Sequence, residues 1–233
     1  MSGIDMNLVD VGLYSVPEAR RLTGISTQRI RRWLFGYSYR GRDKVEHEMH
    51  PICVGDAPSV DETVGLSFLD LMEVRMVDAF CSHRVSWKAI REAADAACEL
   101  YDDRHPFMMK RFMTDGNRIF AEIRGTRKAK DKLYDLNRKH YVFKPVVEKS
   151  LFAGIEFEND QAVRWFPEHL RRQVVLDPRR SFGRPIVTRG GVPTEILAKS
   201  AEVEGSAELT ARWYDIPVAA VRAAVEFEQR LSA

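Results

Sequence analysis

Residues 15 to 34 carry the punctuation of two short helices around a single glycine, and this constrains the fold more than any other stretch. Ser15-Val16-Pro17-Glu18 has capping-box spacing: the serine hydroxyl can take a backbone N–H three residues on, and Glu18 can reach back. Pro17 suits a first helical turn, where a missing N–H costs little. Ala19 and Leu22 face inward, and Gly24 is placed for a left-handed C-terminal cap. Ile25 is a turn hydrophobe, and Ser26 opens a second helix with Ile30, Trp33 and Leu34 at i, i+3 and i+4. Two short helices joined by a glycine-containing turn form a helix-turn-helix pattern.

The other side of that second helix is Ser26, Thr27, Gln28, Arg29, Arg31 and Arg32. These side chains suit double-stranded DNA. Gln pairs bidentately with adenine, Arg with guanine, and Ser or Thr bonds phosphates. Gly36 to His50 reads as a hairpin, and a hairpin after a recognition helix is a wing, with Arg40, Arg42 and Lys44 set against phosphates. Charge is segregated along the chain. Arg20 to Lys44 holds eight Lys/Arg against one acid, whereas Val45 to Asp103 holds four against thirteen. Such a block on a chain of net charge +2 points to a local polyanion-binding face.

Further on, a helix is predicted from Leu66, with Leu69, Met72, Met76 and Phe80 on its apolar side. Ser86 caps another that ends before Pro106. Asp70, Glu73, Asp78, Glu92 and Asp95 are expected in solvent. Asp115-Gly116-Asn117 marks a turn before a strand over Arg118 to Ile123, and Leu133–Leu136, His140–Val147 and Phe152–Phe157 read as further strands. From Val192 onward three helices fit, with Ile196 and Leu197 buried in the first, Ser206 capping the second and Pro217 opening the third. Seven acids against four bases in that segment suit protein docking or dimerisation better than DNA. The expected fold class is α+β, mainly α. It comprises an N-terminal winged helix-turn-helix over 11–105, a small central β region over 106–172 and a C-terminal helix-turn-helix-like domain over 173–233.

Other function classes find little support. No Walker A, G-x-S-x-G or H-E-x-x-H pattern is present, so enzymatic activity, metals and cofactors are not expected. Cys53, Cys81 and Cys98 form no C-x-x-C pair, and Cys81 and Cys98 read as packed, reduced thiols. The longest apolar runs are too short for a bilayer, and Met1 to Asp10 lacks the layout of a signal peptide, so a cytoplasmic location is expected.

The run from Tyr14-Ser15-Val16-Pro17-Glu18-Ala19 through Ser26-Thr27-Gln28-Arg29-Ile30-Arg31-Arg32-Trp33 to Leu66-Ser67-Phe68-Leu69-Asp70-Leu71-Met72-Glu73, with Val85 to Arg91, resembles the MerR-type winged helix. The resemblance implies a recognition helix at Thr27 to Trp33 and a wing at Tyr37 to Val45. The expected long dimerisation helix is interrupted at Asp102 to Pro106, and no Cys-rich loop follows. Leu176-Asp177-Pro178, Gly183-Arg184-Pro185-Ile186-Val187, Gly191-Val192-Pro193-Thr194 and Val221 to Phe227 are similar to the C-terminal domain of VapB-type antitoxins. Together the halves resemble longer VapBC-type antitoxins. The implied role is an autorepressor that binds operator DNA as a homodimer, or as a heterotetramer with its toxin. It would neutralise a PIN-domain ribonuclease whose acidic residues hold Mg²⁺ or Mn²⁺. A basic or aromatic element suits such an acidic pocket, which makes Arg164, Trp165, Phe166, Arg171 and Arg172 the candidate toxin-binding set. The alternative is a MerR-like regulator without a toxin, answering to a small ligand.

Overall fold

Ser15 starts the first helix as its spacing predicts. The computed structural model describes residues 11–41, 44–52, 59–60, 63–101, 104–109, 112–114, 119–123, 132–135, 140–142, 152–159 and 161–232. The backbone N–H of Glu18 donates to Ser15 Oγ at 3.3 Å, and that of Ser15 donates to Glu18 Oε2 at 2.7 Å. Helix α1 (Val16–Thr23) then stops at Gly24, whose φ of 75° and N–H bond to Arg20 O form the left-handed cap. Ser26 caps α2 (Thr27–Phe35), which buries Ile30, Trp33 and Leu34. Strands β2 (Tyr37–Arg40) and β3 (Glu46–Met49) follow as an antiparallel hairpin with Tyr39 opposite His47.

The sequence reading missed a small sheet around α1. Strand β1 (Tyr14–Ser15) pairs with β5 (Thr63–Leu66), and β5 pairs with β4 (Ser59–Val60). Leu66 therefore ends a strand instead of opening a helix. The helix begins one step later, as α3 (Phe68–Ser82), capped by Ser67 in a second capping box with Asp70. Helices α4 (Trp87–Tyr101) and α5 (Pro106–Met109) complete the first helical group, with Pro106 starting a helix after the end of α4. No helix among the described residues is long and apolar enough to cross a membrane.

Helix α3 is covered on nearly every side, which corrects the expectation for two of its acids. Asp70 is 0% exposed and Glu73 1%, beneath a buried His105 whose Nδ1 lies 2.7 Å from Glu73 Oε2 and 3.9 Å from Asp70 Oδ1. Helix periodicity assigns both carboxylates to a polar stripe, but His105, just before α5, brings an imidazole onto it. Buried charges persist when paired and hydrogen-bonded, and Asp70 Oδ2 also accepts the Ser67 N–H at 2.8 Å. Glu92 and Asp95 are exposed as expected.

A four-stranded antiparallel meander follows: β6 (Phe112–Thr114), β7 (Ile119–Ile123), β8 (Lys132–Asp135) and β9 (His140–Val142), each paired with the next. The expected turn at Asp115-Gly116-Asn117, and the positions Leu136, Phe143 and Val147, lie outside the described residues. Strands β10 (Ile155–Glu158) and β11 (Gln161–Trp165) form a hairpin with a register shift between Glu156 and Phe157. The chain then pairs Trp165 with Leu176 and makes the short ladder of β12 (Val174–Val175) with β13 (Ile186–Val187). Helices α6 (Thr194–Glu204), α7 (Ala207–Trp213) and α8 (Val218–Ser232) close the fold. Leu197 is buried as predicted, but Ile196 is exposed, because Thr194 and Leu197 take the core-facing stripe of α6.

Three apolar clusters form among the described residues. The largest joins α1 to α5 and also takes in Ala162, Trp165 and Leu176. A second is built on Val187, Leu197, Ala211, Ala220, Val221 and Ala224, and Phe166, Val175 and Ile186 make a small third. Polar bonds link the N-terminal and C-terminal regions. Tyr14 Oη donates to Gly183 O at 2.7 Å, Leu13 N–H donates to Phe182 O at 3.2 Å, and Arg21 lies 3.5 Å from Glu228, which also accepts from Thr194.

Candidate nucleic-acid interface

Helix α2 turns its apolar stripe inward because Trp33 stacks on Trp87 of α4, ring centroids 6.0 Å apart, while Ile30 and Leu34 fill the core beneath α3. The opposite face is left to solvent. Ser26, Gln28, Arg29, Arg31 and Arg32 are exposed and Thr27 is half-buried. Their surroundings differ. Arg29 reaches back to α3, where Nη1 sits 3.0 Å from Asp78 Oδ1, and its guanidinium lies 4.8 Å from the Trp33 ring. Burial raises the pKa of the half-buried Cys81 thiol, against the opposing charge of the Arg29 guanidinium. Arg32 covers the Tyr37 ring at 5.0 Å. Gln28 and Arg31 make no ion pair or side-chain hydrogen bond among the described residues.

Alternation sorts the hairpin into two faces. Tyr37, Tyr39, His47 and Met49 share one, with Tyr39 and His47 stacked at 5.2 Å. Ser38, Arg40, Glu46 and Glu48 share the other, and Arg40 faces Glu46 across the ladder. Arg40 and Lys44 are exposed, and Arg42 lies outside the described residues. The hairpin is therefore less basic than Arg40, Arg42 and Lys44 alone suggest, since β3 returns two carboxylates.

The residues expected to meet a toxin are held by their own chain. Trp165 is 4% exposed, with the Arg75 guanidinium 4.2 Å from its ring. Phe166 is buried under Arg172, 4.0 Å from its ring. Burial lowers the pKa of the Arg75 guanidinium to about 10. Arg164 Nε donates to the buried Asp177 at 3.0 Å, and the guanidinium also meets Glu156 and Glu158. Arg172 pairs with Glu156, and Arg171 with Glu226 of α8 at 2.9 Å. This cluster staples the β10–β11 hairpin to the segments on both sides of β12, and its two aromatics offer little surface to a partner. Sequence reasoning missed Asp78, Asp177 and Tyr37, the groups that hold the arginines. Each pairing depends on distant elements meeting, and no local spacing signals it.

Among the described residues no group of three or more His, Cys, Asp or Glu side chains has an arrangement that could hold a metal ion. Fold and site together define an α+β protein that exposes an arginine-bearing helix beside a hairpin, with a separate helical core at its C-terminus. No family model matches the chain. It is 28% identical over 192 residues to "Putative antitoxin VapB45" of Mycobacterium tuberculosis (strain ATCC 25618 / H37Rv), a match covering 78% of this chain and 80% of that protein. Its fold is similar to the crystal structure of Rv2018 from Mycobacterium tuberculosis, with a TM-score of 0.60 and 21% identity over 93% of this chain and 99% of that one.

Proposed function

We propose that this chain is the antitoxin of a type II toxin–antitoxin pair, and that it represses its own operon by binding operator DNA through α2. The observation that carries the DNA reading is the placement of α2. Its apolar stripe is locked into the core, while Gln28 and Arg31 are exposed with no ion pair or side-chain hydrogen bond among the described residues. The antitoxin reading is supported by the similarity to the Mycobacterium tuberculosis protein named as an antitoxin.

In this reading α1, α2 and the β2–β3 hairpin form a MerR-like winged helix-turn-helix. The N-terminal part of α2 enters the major groove, where Gln28 and Arg31 read base edges. Arg29 and Arg32, held by Asp78 and Tyr37, set the pitch of the helix and meet the flanking backbone. Arg40 and Lys44 contribute phosphate contacts that release counterions. Two copies on a pseudopalindrome place their recognition helices about one helical turn apart. The toxin partner is a PIN-domain ribonuclease, and the chain performs no catalysis of its own.

A mobility-shift assay on the DNA upstream of the gene tests this. Wild-type protein retards the fragment, and Gln28→Ala with Arg31→Ala abolishes the shift at matched salt. An unaltered shift from the double variant removes α2 from the interface.

A further inference from the structure

The rings of the β2–β3 hairpin form a row that continues the arginine face of α2. The Arg32 guanidinium lies 5.0 Å from the Tyr37 ring, Tyr37 lies 6.0 Å from Tyr39, and Tyr39 stacks on His47 at 5.2 Å. Tyr37, Tyr39 and His47 belong to none of the apolar clusters described above, and Tyr39 is 47% exposed. The row therefore runs out into solvent instead of into a core.

The hairpin is fixed against α2 and α4. The Ile52 N–H donates to Trp33 O at 2.8 Å, and Arg91 of α4 donates to His50 O. Gly36, at the joint between α2 and β2, has a φ of 72° and passes so close to Met49 O that a Cβ would collide with it. Fixing a contact surface before binding lowers the entropy lost on association. Alternation leaves Ser38, Arg40, Glu46 and Glu48 on the opposite face, where two exposed carboxylates outnumber one arginine. That face repels phosphates, so the aromatic face is the one that can lie along a duplex.

We propose that Tyr39 makes an uncharged DNA contact on this face, its ring packed on a deoxyribose and its hydroxyl donating to a phosphate beside the groove that α2 enters. His47, stacked on it, is a positioning residue. The proposal deepens the operator-binding reading of α2 and rests on it. Continuity selects the occupant: a duplex lying along Arg32 meets Tyr37 and then Tyr39 without a break. Tyrosine hydroxyls are regular phosphate partners, and such contacts set register and orientation. Arg40 and Lys44 border the turn closed by the Gly41 N–H bond to Val45 O, and meet their phosphates from the tip of the hairpin. Cations release counterions and a neutral side chain does not, so the two kinds of contact differ in salt dependence.

The test is a mobility-shift titration of the full chain on the DNA upstream of its gene, repeated over a series of salt concentrations. Tyr39→Ala lowers affinity about tenfold with the salt slope unchanged, and Tyr39→Phe, which keeps the ring, recovers part of the loss. His47→Ala weakens binding less, and His47→Phe restores it by keeping the stack. Tyr39→Ala unfolds at the wild-type temperature. If Gln28→Ala with Arg31→Ala abolishes the shift but Tyr39→Ala binds as tightly as wild type, the aromatic contact is wrong while the α2 reading stands. If the wild type gives no shift, the α2 reading fails and this inference falls with it. A flattened salt slope for Tyr39→Ala would mean that the ring only supports a cation. An unfolding temperature lowered in step with affinity would make Tyr39 structural, and a dimer lost in light scattering would make the face a contact between copies. Each of these overturns the proposal.

Discussion

Gln28 and Arg31 differ from Arg29 and Arg32 of α2 in having no partner side chain among the described residues, and that difference predicts divided phenotypes. Arg31→Ala should weaken operator binding by about 1–3 kcal/mol, with the loss concentrated at one base pair. Arg29→Ala removes a half-exposed ion pair with Asp78, so its effect on stability should stay within about 1 kcal/mol. Its effect on binding should be spread evenly over operator sequences. Binding measured against a panel of single-base operator variants separates the two. A base-specific loss from Arg29→Ala would mean that the ion pair opens on DNA and the side chain reads a base.

Tyr14 is the other residue with a measurable signature. It is buried and donates to Gly183 O, and burial first, then the nearby charges of Glu18 and Asp177, push its hydroxyl pKa well above the usual tyrosine range. The sign is that of a raised folded-state value. The stabilisation is complete below the unfolded pKa of about 10, and is lost as pH rises beyond it and the unfolded chain sheds its proton first. Urea titrations from pH 8 to 11 should show wild-type stability falling above pH 10, and a shallower fall for Tyr14→Phe. Parallel curves for the two proteins would place the alkaline loss elsewhere. At neutral pH, Tyr14→Phe should cost about 1 kcal/mol, the usual net value of one hydrogen bond.

At the scale of elements, local rules account well for α1, α2 and α7. Ser15, Ser26 and Ser206 cap these helices as their spacing indicates, and Gly24 takes the left-handed conformation its position requires. Ser15→Ala should therefore destabilise α1 by about 0.5–2 kcal/mol, and because α1 carries the turn into α2, operator affinity should fall with it. Denaturation and mobility-shift midpoints measured on one preparation check the coupling. Unchanged stability would show that the β1–β5 pairing alone holds the start of the helix. Local rules do less well on α3 and on the strands. Leu66 has helical periodicity but is claimed by a ladder with Tyr14, a partner 52 positions away. The β10–β11 hairpin and the β12–β13 pair are brief ladders whose register comes from Trp165 entering the large core while Phe166, Val175 and Ile186 are buried together, which alternation over four or five residues cannot announce.

Over the whole molecule, the N-terminal helices and the C-terminal helices are fastened by Tyr14 to Gly183, Leu13 to Phe182 and Arg21 to Glu228. Partner binding on the C-terminal unit thus has a physical route to α1. Glu228→Ala removes the group shared by Arg21 and Thr194. It should leave operator affinity of the free chain within about twofold, since Glu228 lies outside α2 and the hairpin and its 3.5 Å pair with the exposed Arg21 contributes little. It should also reduce any change in that affinity when the toxin binds. Equal coupling in wild type and variant, measured by operator titration with and without toxin, would put the route elsewhere.

The helix pair at residues 15 to 34, its caps and its arginine-bearing face follow from the order of residues alone, because capping and 3.6-residue periodicity act within a few positions. Which of those arginines stay free, that Asp70 and Glu73 lie under His105, and that Trp165 and Phe166 are core while Trp213 is surface, all depend on which distant segments come to rest against them. Burial and ion pairing are properties of neighbours in space, and one-dimensional spacing holds no record of them.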